Sequence, residues 1–172
     1  MGPQNLAENL RFLWLLCHNR ILTWDNLRKR NFHGPNYCPN CKKEEETAQH
    51  IMNSCLLVHK LWEKISFRCQ KDGMTSEDII DNIRNQAQIL FKRKLLNSLW
   101  KLILGFLMWT LWKERNRRIF KNQSMTEESM WSTICQNIRE TLLLQTWMRR
   151  NFPHPHRSKA YGQTGIYSGI KH

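Results

Sequence analysis

Residues 38–55 read C-P-N-C-K-K-E-E-E-T-A-Q-H-I-M-N-S-C. Four side chains that bind metals fall within these eighteen positions, at the spacing Cys38-x2-Cys41-x8-His50-x4-Cys55. Two thiolates three residues apart across a tight turn face one point, and Pro39 and Asn40 supply the turn. His50 falls in a helical turn expected over residues 47–53. Cys55 lies five positions further, about 140° around an ideal helix. His50 and Cys55 cannot both point inward from one continuous helix, so Cys55 is expected just beyond the helix end. Three thiolates and one imidazole complete a tetrahedral set with no open position, the mark of a structural zinc, one per chain. The plain alternative is four unrelated buried residues, and His59, one turn after Cys55, is a rival fourth ligand.

The flanking sequence is helical almost throughout. Leu6, Leu10, Leu13, Trp14 and Cys17 recur at helical spacing, and His18 and Asn19 break the run. Thr23 is placed to cap a short helix over residues 24–30, with Asp25 in its first turn, and residues 33–36 form a turn. Residues 56–67 predict a helix with Leu57, Leu61, Trp62 and Ile65 on one face. Lys71, Asp72 and Gly73 form a linker, and Ser76 and Asp78 open a short helix carrying Ile79, Ile80 and Ile83. A long helix is expected over residues 89–121, ended by Asn122, Gln123 and Ser124. Another begins at Thr126 and runs to residue 150, with Met130, Trp131, Ile134, Cys135, Ile138 and Leu142 as its apolar stripe. The expected fold is therefore all-α: a helical zinc-binding module over residues 1–68, an extension over 69–150 built on a long αα-hairpin, and a basic flexible tail over 151–172.

Residues 95–112 are apolar enough to raise the question of a membrane span. Lys101 in their midst would cost roughly 2.5–3.5 kcal/mol on insertion. Lys94, Ser98, Lys101 and Gly105 also fall on one stripe, facing water or a tight contact, which favours a buried helix of a globular protein over a membrane-associated one.

Six cysteines without a secretory signal point to a reducing intracellular compartment, where clustered cysteines bind metal. Nucleus or cytoplasm fits better than mitochondrion, since Glu8 and the lack of serines spoil an N-terminal import signal. Cys17, Cys69 and Cys135 lack partners at ligand spacing and are expected as buried thiols. Lys and Arg number 27 against 14 Asp and Glu, a net charge of +13 that favours an anionic partner. Arg28, Lys29 and Arg30 form one basic cluster. Lys113, Arg115, Arg117, Arg118 and Lys121 form a second, opposed along the helix only by Glu114. Both are candidate phosphate contacts for RNA or single-stranded DNA. Glu44, Glu45 and Glu46 are expected to be solvated.

The segment 15–65 resembles the zinc-binding region of plant LINE-type (non-LTR) reverse transcriptases. The matching elements are L-C-H-N-R-I-L-T-W-D-N-L-R-K-R over residues 16–30, then C-P-N-C, E-E-T-A-Q-H-I and C-L-L-V-H-K-L-W ending at Trp62. W-T-L-W-K-E-R-N-R-R-I-F over residues 109–120 resembles the helix that follows this region. The resemblance implies zinc on Cys38, Cys41, His50 and Cys55 and a nucleic-acid accessory role. With Met1 close before the first motif and no polymerase, endonuclease or ribonuclease H sequence, the chain looks like an orphaned fragment of such an element. The eight-residue gap differs from the gap of four in a retroviral zinc knuckle, so base recognition of that kind does not carry over.

No catalytic constellation is evident. A closed zinc leaves no place for water, Cys17 and His18 point about 100° apart on a helix, and Asp78 and Asp81 are explained by a helix N-terminus. A non-catalytic protein is expected. One role is protein–protein interaction through the Trp-rich hairpin (Trp100, Trp109, Trp112, Trp131 and Trp147), by self-association or by binding and disturbing a host protein, with toxicity a possible consequence. The other is salt-sensitive nucleic-acid binding without sequence preference.

Overall fold

The computed structural model describes residues 4–70, 76–88 and 94–151. The expected linker at 71–73, the first turns of the long helix at 89–93 and the tail from 152 onward lie outside the described residues. Among the described residues six α-helices follow in order: α1 Gln4–Cys17, α2 Trp24–Arg28, α3 Leu56–Cys69, α4 Ile79–Gln88, α5 Lys94–Lys121 and α6 Glu127–Asn151. A single π-helical turn, His50–Ser54, precedes α3. An isolated antiparallel bridge between Tyr37 and Glu45 closes the loop ahead of it. The fold is all-α.

The helix ends follow local chemistry. Asn122 adopts φ 50° after α5, the left-handed position that terminates a helix and that Asn tolerates. Thr126 Oγ1 accepts the Ser129 amide at 3.2 Å and starts α6. Asp78 Oδ1 accepts the amides of Ile80 and Asp81 at 2.8 and 2.9 Å, so Asp78 is a helix cap. Thr23 departs from expectation. Its hydroxyl donates to Asp25 Oδ1 at 2.5 Å instead of capping an amide.

α5, about 42 Å long at 1.5 Å per residue, is the spine. α1 crosses it where Gly105 has no side chain: a Cβ there would lie 3.2 Å from Asn9 Oδ1 and 3.4 Å from Leu13 Cδ1. Phe12 packs against Trp109 and Trp112, with ring centroids 5.3 and 5.7 Å apart. The polar stripe on α5 therefore does both things its composition allows. Ser98 and Lys101 meet water and Gly105 makes the tight contact.

Two faces differ from the pattern in the sequence. α1 buries Asn9, Phe12 and Leu16, while Leu10 and Trp14 are exposed. Residues 12–17 are apolar all round, and the α5 surface selects which stripe is covered. α6 buries Met130, Ile134, Asn137 and Thr141, leaving Trp131, Cys135, Ile138 and Leu142 half-buried. Cys17 is exposed and Cys135 half-buried, so neither is the fully buried thiol expected; the Cys69 side chain lies outside the described residues. On α3 the expected Leu61, Trp62 and Ile65 are buried, while Leu57 is half-buried and Val58 takes the buried place beside them.

One hydrophobic core runs through both halves of the chain, joining Leu16, Ile51, Met52 and Trp62 to Trp100, Phe106, Leu107, Leu111 and Met130. Ion pairs from Lys60 and Lys64 on α3 to Glu127 and Glu128 fasten the start of α6. No described helix is long and apolar enough to cross a membrane.

Candidate metal centre and adjoining basic groove

The four expected ligands converge. The Sγ atoms of Cys38, Cys41 and Cys55 and a ring nitrogen of His50 all lie within 4.8 Å of one another. Cys38 and Cys55 Sγ are 4.0 Å apart, and Cys41 Sγ is 3.3 Å from His50 Nε2. Tetrahedral zinc with Zn–S of about 2.3 Å and Zn–N of about 2.0 Å sets edges of about 3.8 Å (S···S) and 3.5 Å (S···N). These two spacings differ from the ideal edges by a few tenths of an ångström, within a cluster whose donor atoms spread over no more than 4.8 Å. The donor set, three thiols and one imidazole with no carboxylate, is that of a structural zinc site, and four protein donors leave no open position. His59 is not among the converging residues.

The local backbone explains the convergence. Lys42, at φ 56°, turns the chain back after Cys41, and its amide bonds Cys38 O at 2.8 Å. The Asn40 amide points at Cys38 Sγ, 3.4 Å away. Beyond the eight-residue gap, Thr47 Oγ1 accepts the His50 amide at 2.9 Å. The widened π turn then ends with the Cys55 amide on His50 O at 2.9 Å. Cys55 is extended (φ −68°, ψ 137°) and caps α3, outside the turn that carries His50, as the 140° argument requires. The α4 entry holds this turn in place. Asn53 Nδ2 donates to Glu77 O at 2.7 Å, Gln49 Oε1 accepts the Ile79 amide at 2.8 Å, and Asn82 Nδ2 donates to Asn53 Oδ1 at 2.9 Å.

The mutual hydrogen bond of Cys38 and Cys55, together with burial, raises the Cys38 thiol, while the same hydrogen bond lowers Cys55. Burial lowers His50, which keeps the imidazole neutral near pH 7 with Nε2 available as a ligand. Ser54 Oγ lies 3.5 Å from His50 Nδ1, the position of an outer partner that orients a ligating ring.

The arginines after Trp112 serve the fold as well as the surface, which corrects the second basic cluster. Arg115 is buried, not solvent-facing. Its Nη2 lies 2.6 Å from Glu46 Oε1 and its Nε 3.2 Å from both carboxylate oxygens, with side chains 5% and 3% exposed. Glu46, expected to be solvated, is the buried counter-charge. Its Oε1 also accepts the Trp24 amide at 2.9 Å, so one carboxylate ties α2, the zinc loop and α5 together. Arg115 Cζ further stacks 5.0 Å from the Trp112 ring centroid. Buried Glu114 accepts Arg118 Nε at 2.8 Å and the Met125 amide at 3.0 Å, and pairs with Arg117 at 3.7 Å. Arg118 Nη1 reaches Asn40 O, 3.5 Å away, between the first two cysteines. Lys113 is half-buried over Trp109. Of the expected nucleic-acid contacts, Arg28, Lys29, Arg30 and Lys121 are exposed and Arg117 and Arg118 partly so. Arg28 pairs with Glu45 at 3.5 Å, and Lys29 with Asp25 at 3.9 Å.

A groove of about 670 Å³ runs between the α2 end, the zinc loop and the α5–α6 turn. Leu27 and Trp24 form one side, Tyr37, Pro39 and Lys42 the zinc-loop side, and Arg118, Phe120 and residues 122–124 the other. Tyr37 is 53% and Phe120 76% exposed. Lys42 of the zinc loop and Arg118 of the second basic cluster thus line one cleft, whose lining does not include Arg28, Lys29 or Arg30. Sequence spacing could not show this.

Residues 6–62 match the family described as zinc-binding in reverse transcriptase. This segment is a reverse-transcriptase zinc-binding domain. A putative ribonuclease H protein of Arabidopsis thaliana is 24% identical over 110 residues, 63% of this chain but 17% of that protein. The chain therefore corresponds to under a fifth of that relative's length. No solved structure matches. The zinc-binding domain is of retroelement origin, and all four ligands fall inside the matched segment, while the α4 contacts that hold the ligand turn lie beyond it.

Proposed function

We infer that the zinc-binding domain and its helical hairpin form a non-catalytic, single-strand-tolerant nucleic-acid binding unit that reads charge rather than sequence. The observation that carries this is the groove beside the zinc loop, lined by Lys42 and Arg118 together with the exposed rings of Tyr37 and Phe120. The net charge of +13 supports it, as does the exposure of Lys42 in the cleft and of Arg28, Arg30, Lys43 and Lys121 on the surface. The zinc, closed by four protein donors, holds the loop rigid and offers no position for a reacting water.

Fluorescence anisotropy with labelled single-stranded RNA and DNA is the test. Log affinity should fall linearly with log salt at a slope of about −0.7 per phosphate neutralised. Affinity unchanged between about 50 and 200 mM salt contradicts this mechanism.

A second reading, contact with a protein partner or a second copy, is favoured by a different place. An open and almost wholly apolar groove along α5 and α6 is lined by Ile103, Trp131, Ile138, Leu142 and Leu143. Its support is narrower than the tryptophan count suggests. Trp100 is buried, Trp109, Trp112 and Trp131 are half-buried, and of the hairpin's tryptophans only Trp147 is exposed. Light scattering tests self-association directly, and a strict monomer with no captured partner counts against this reading.

A further inference from the structure

We propose that the groove beside the zinc loop is a base-stacking cleft, in which Tyr37 and Phe120 take the faces of unpaired nucleobases while Lys42, Arg118 and Lys121 hold the flanking phosphates. This deepens the nucleic-acid reading and rests on it.

Four observations on the two banks point to this occupant. First, the cleft is aromatic where it opens to water. Phe120 is 76% and Tyr37 53% exposed, and neither ring belongs to the hydrophobic core. Large exposed aromatics that the core does not use are the elements of a stacking platform, which accepts any base because every base has a π-face. Second, the cations stand beside these rings. Lys42 and Arg118 line the cleft and Lys121 directly follows Phe120. Third, the cleft is held rigid. Arg118 is braced by Glu114 and reaches Asn40 O between two zinc ligands, while Glu46 and Arg115 form the floor. Fourth, about 670 Å³ lies within the range of roughly 300–1,000 Å³ that accommodates small organic ligands. A duplex buries its base faces in its own stack and could offer the cleft only backbone.

The neighbouring acids do not cancel this field. Glu45 pairs with Arg28 and accepts Asn36 Nδ2 at 2.7 Å, and Glu46 is consumed by Arg115. Glu44 alone among the three has no such engagement, and since Arg118 is paired with Glu114, the charge left over at the cleft is that of Lys42 and Lys121.

The test compares wild type with Phe120→Ala, Tyr37→Ala and Phe120→Tyr, using a labelled single-stranded oligouridine and a duplex of equal length. All variants are first checked for zinc content and helicity, which exposed positions should leave unchanged. The proposal expects each alanine variant to bind the single strand about ten-fold more weakly with the salt slope unaltered, and Phe120→Tyr to bind as wild type. It also expects duplex affinity to be insensitive to these substitutions. Full single-strand affinity in both alanine variants overturns the stacking cleft while leaving charge-driven binding intact. Equal losses on single strand and duplex also overturn it. Loss of self-association in Phe120→Ala with RNA affinity unchanged assigns the cleft to protein contact and overturns it. A wild-type protein that binds no nucleic acid at any salt removes both this proposal and the function on which it rests.

Discussion

Replacing Arg115 by Met should be among the most damaging single changes in this protein, although Arg115 lies in a basic run that looks like surface. The guanidinium makes three contacts with Glu46 at 2.6–3.2 Å, both side chains almost fully buried. Methionine fills similar volume but leaves the Glu46 carboxylate without its counter-charge. Removing one partner of a buried pair costs about 3–5 kcal/mol, because the desolvated charge that remains is uncompensated. For a domain of this size that corresponds to a fall in Tm of roughly 10 °C. Glu46→Gln should do similar harm by stranding the guanidinium, while the amide keeps an acceptor for Trp24 N–H. The double variant Arg115→Met, Glu46→Gln removes both charges and should recover part of the loss, so the two single effects should not add. Urea denaturation followed by tryptophan fluorescence, on zinc-loaded protein, measures all three. A loss below about 1 kcal/mol for Arg115→Met would mean the pair behaves as a solvated surface bridge, and the account of the α2–loop–α5 junction would fail.

Other outcomes follow from the same structure. Gly34→Ala places a Cβ 2.7 Å from Trp24 Cη2, so the ring must move; a loss of about 1–3 kcal/mol is expected, with a shift in tryptophan emission. Glu114→Ala frees Arg118 and removes the acceptor for the Met125 amide. It should cost about 2 kcal/mol or more and speed hydrogen exchange at Met125, whereas unchanged exchange would discount the role of Glu114 at the α5–α6 turn. Acidification should release zinc, because the ligands bind only when deprotonated. Burial lowers His50, so its imidazole stays neutral down to below its ordinary value of 6.5 and begins to compete for protons only below that pH. A zinc-indicator titration should show release on the acid side of 6.5, and release near pH 8 would contradict this environment for His50.

The metal site was legible in the sequence because its information is local. Two thiols across a turn, a histidine nine residues on and a cysteine that cannot share its helix define the centre before any tertiary contact is known. The widened π turn was not foreseen, since the sequence signal separates a helical turn from a loop and not one ring size from another. The roles of Glu46 and Arg115 were hidden because they depend on a partner 69 residues away. A trace was present nonetheless. Leu104, Met108, Leu111 and Arg115 follow one another at intervals of four, three and four, placing the arginine on the buried stripe of α5, where a charge requires a buried partner. α1 misled for the opposite reason. Its residues 12–17 are apolar all round, so only the shape of α5 at Gly105 decides that Phe12 and Leu16 turn inward and Trp14 outward.

The zinc content of protein purified without added metal, set beside that of a Cys38→Ser, Cys41→Ser variant, tests the central claim most directly. One zinc per wild-type chain, lost in the variant together with cooperative folding, is the predicted result. A metal-free wild-type protein that folds cooperatively would contradict it.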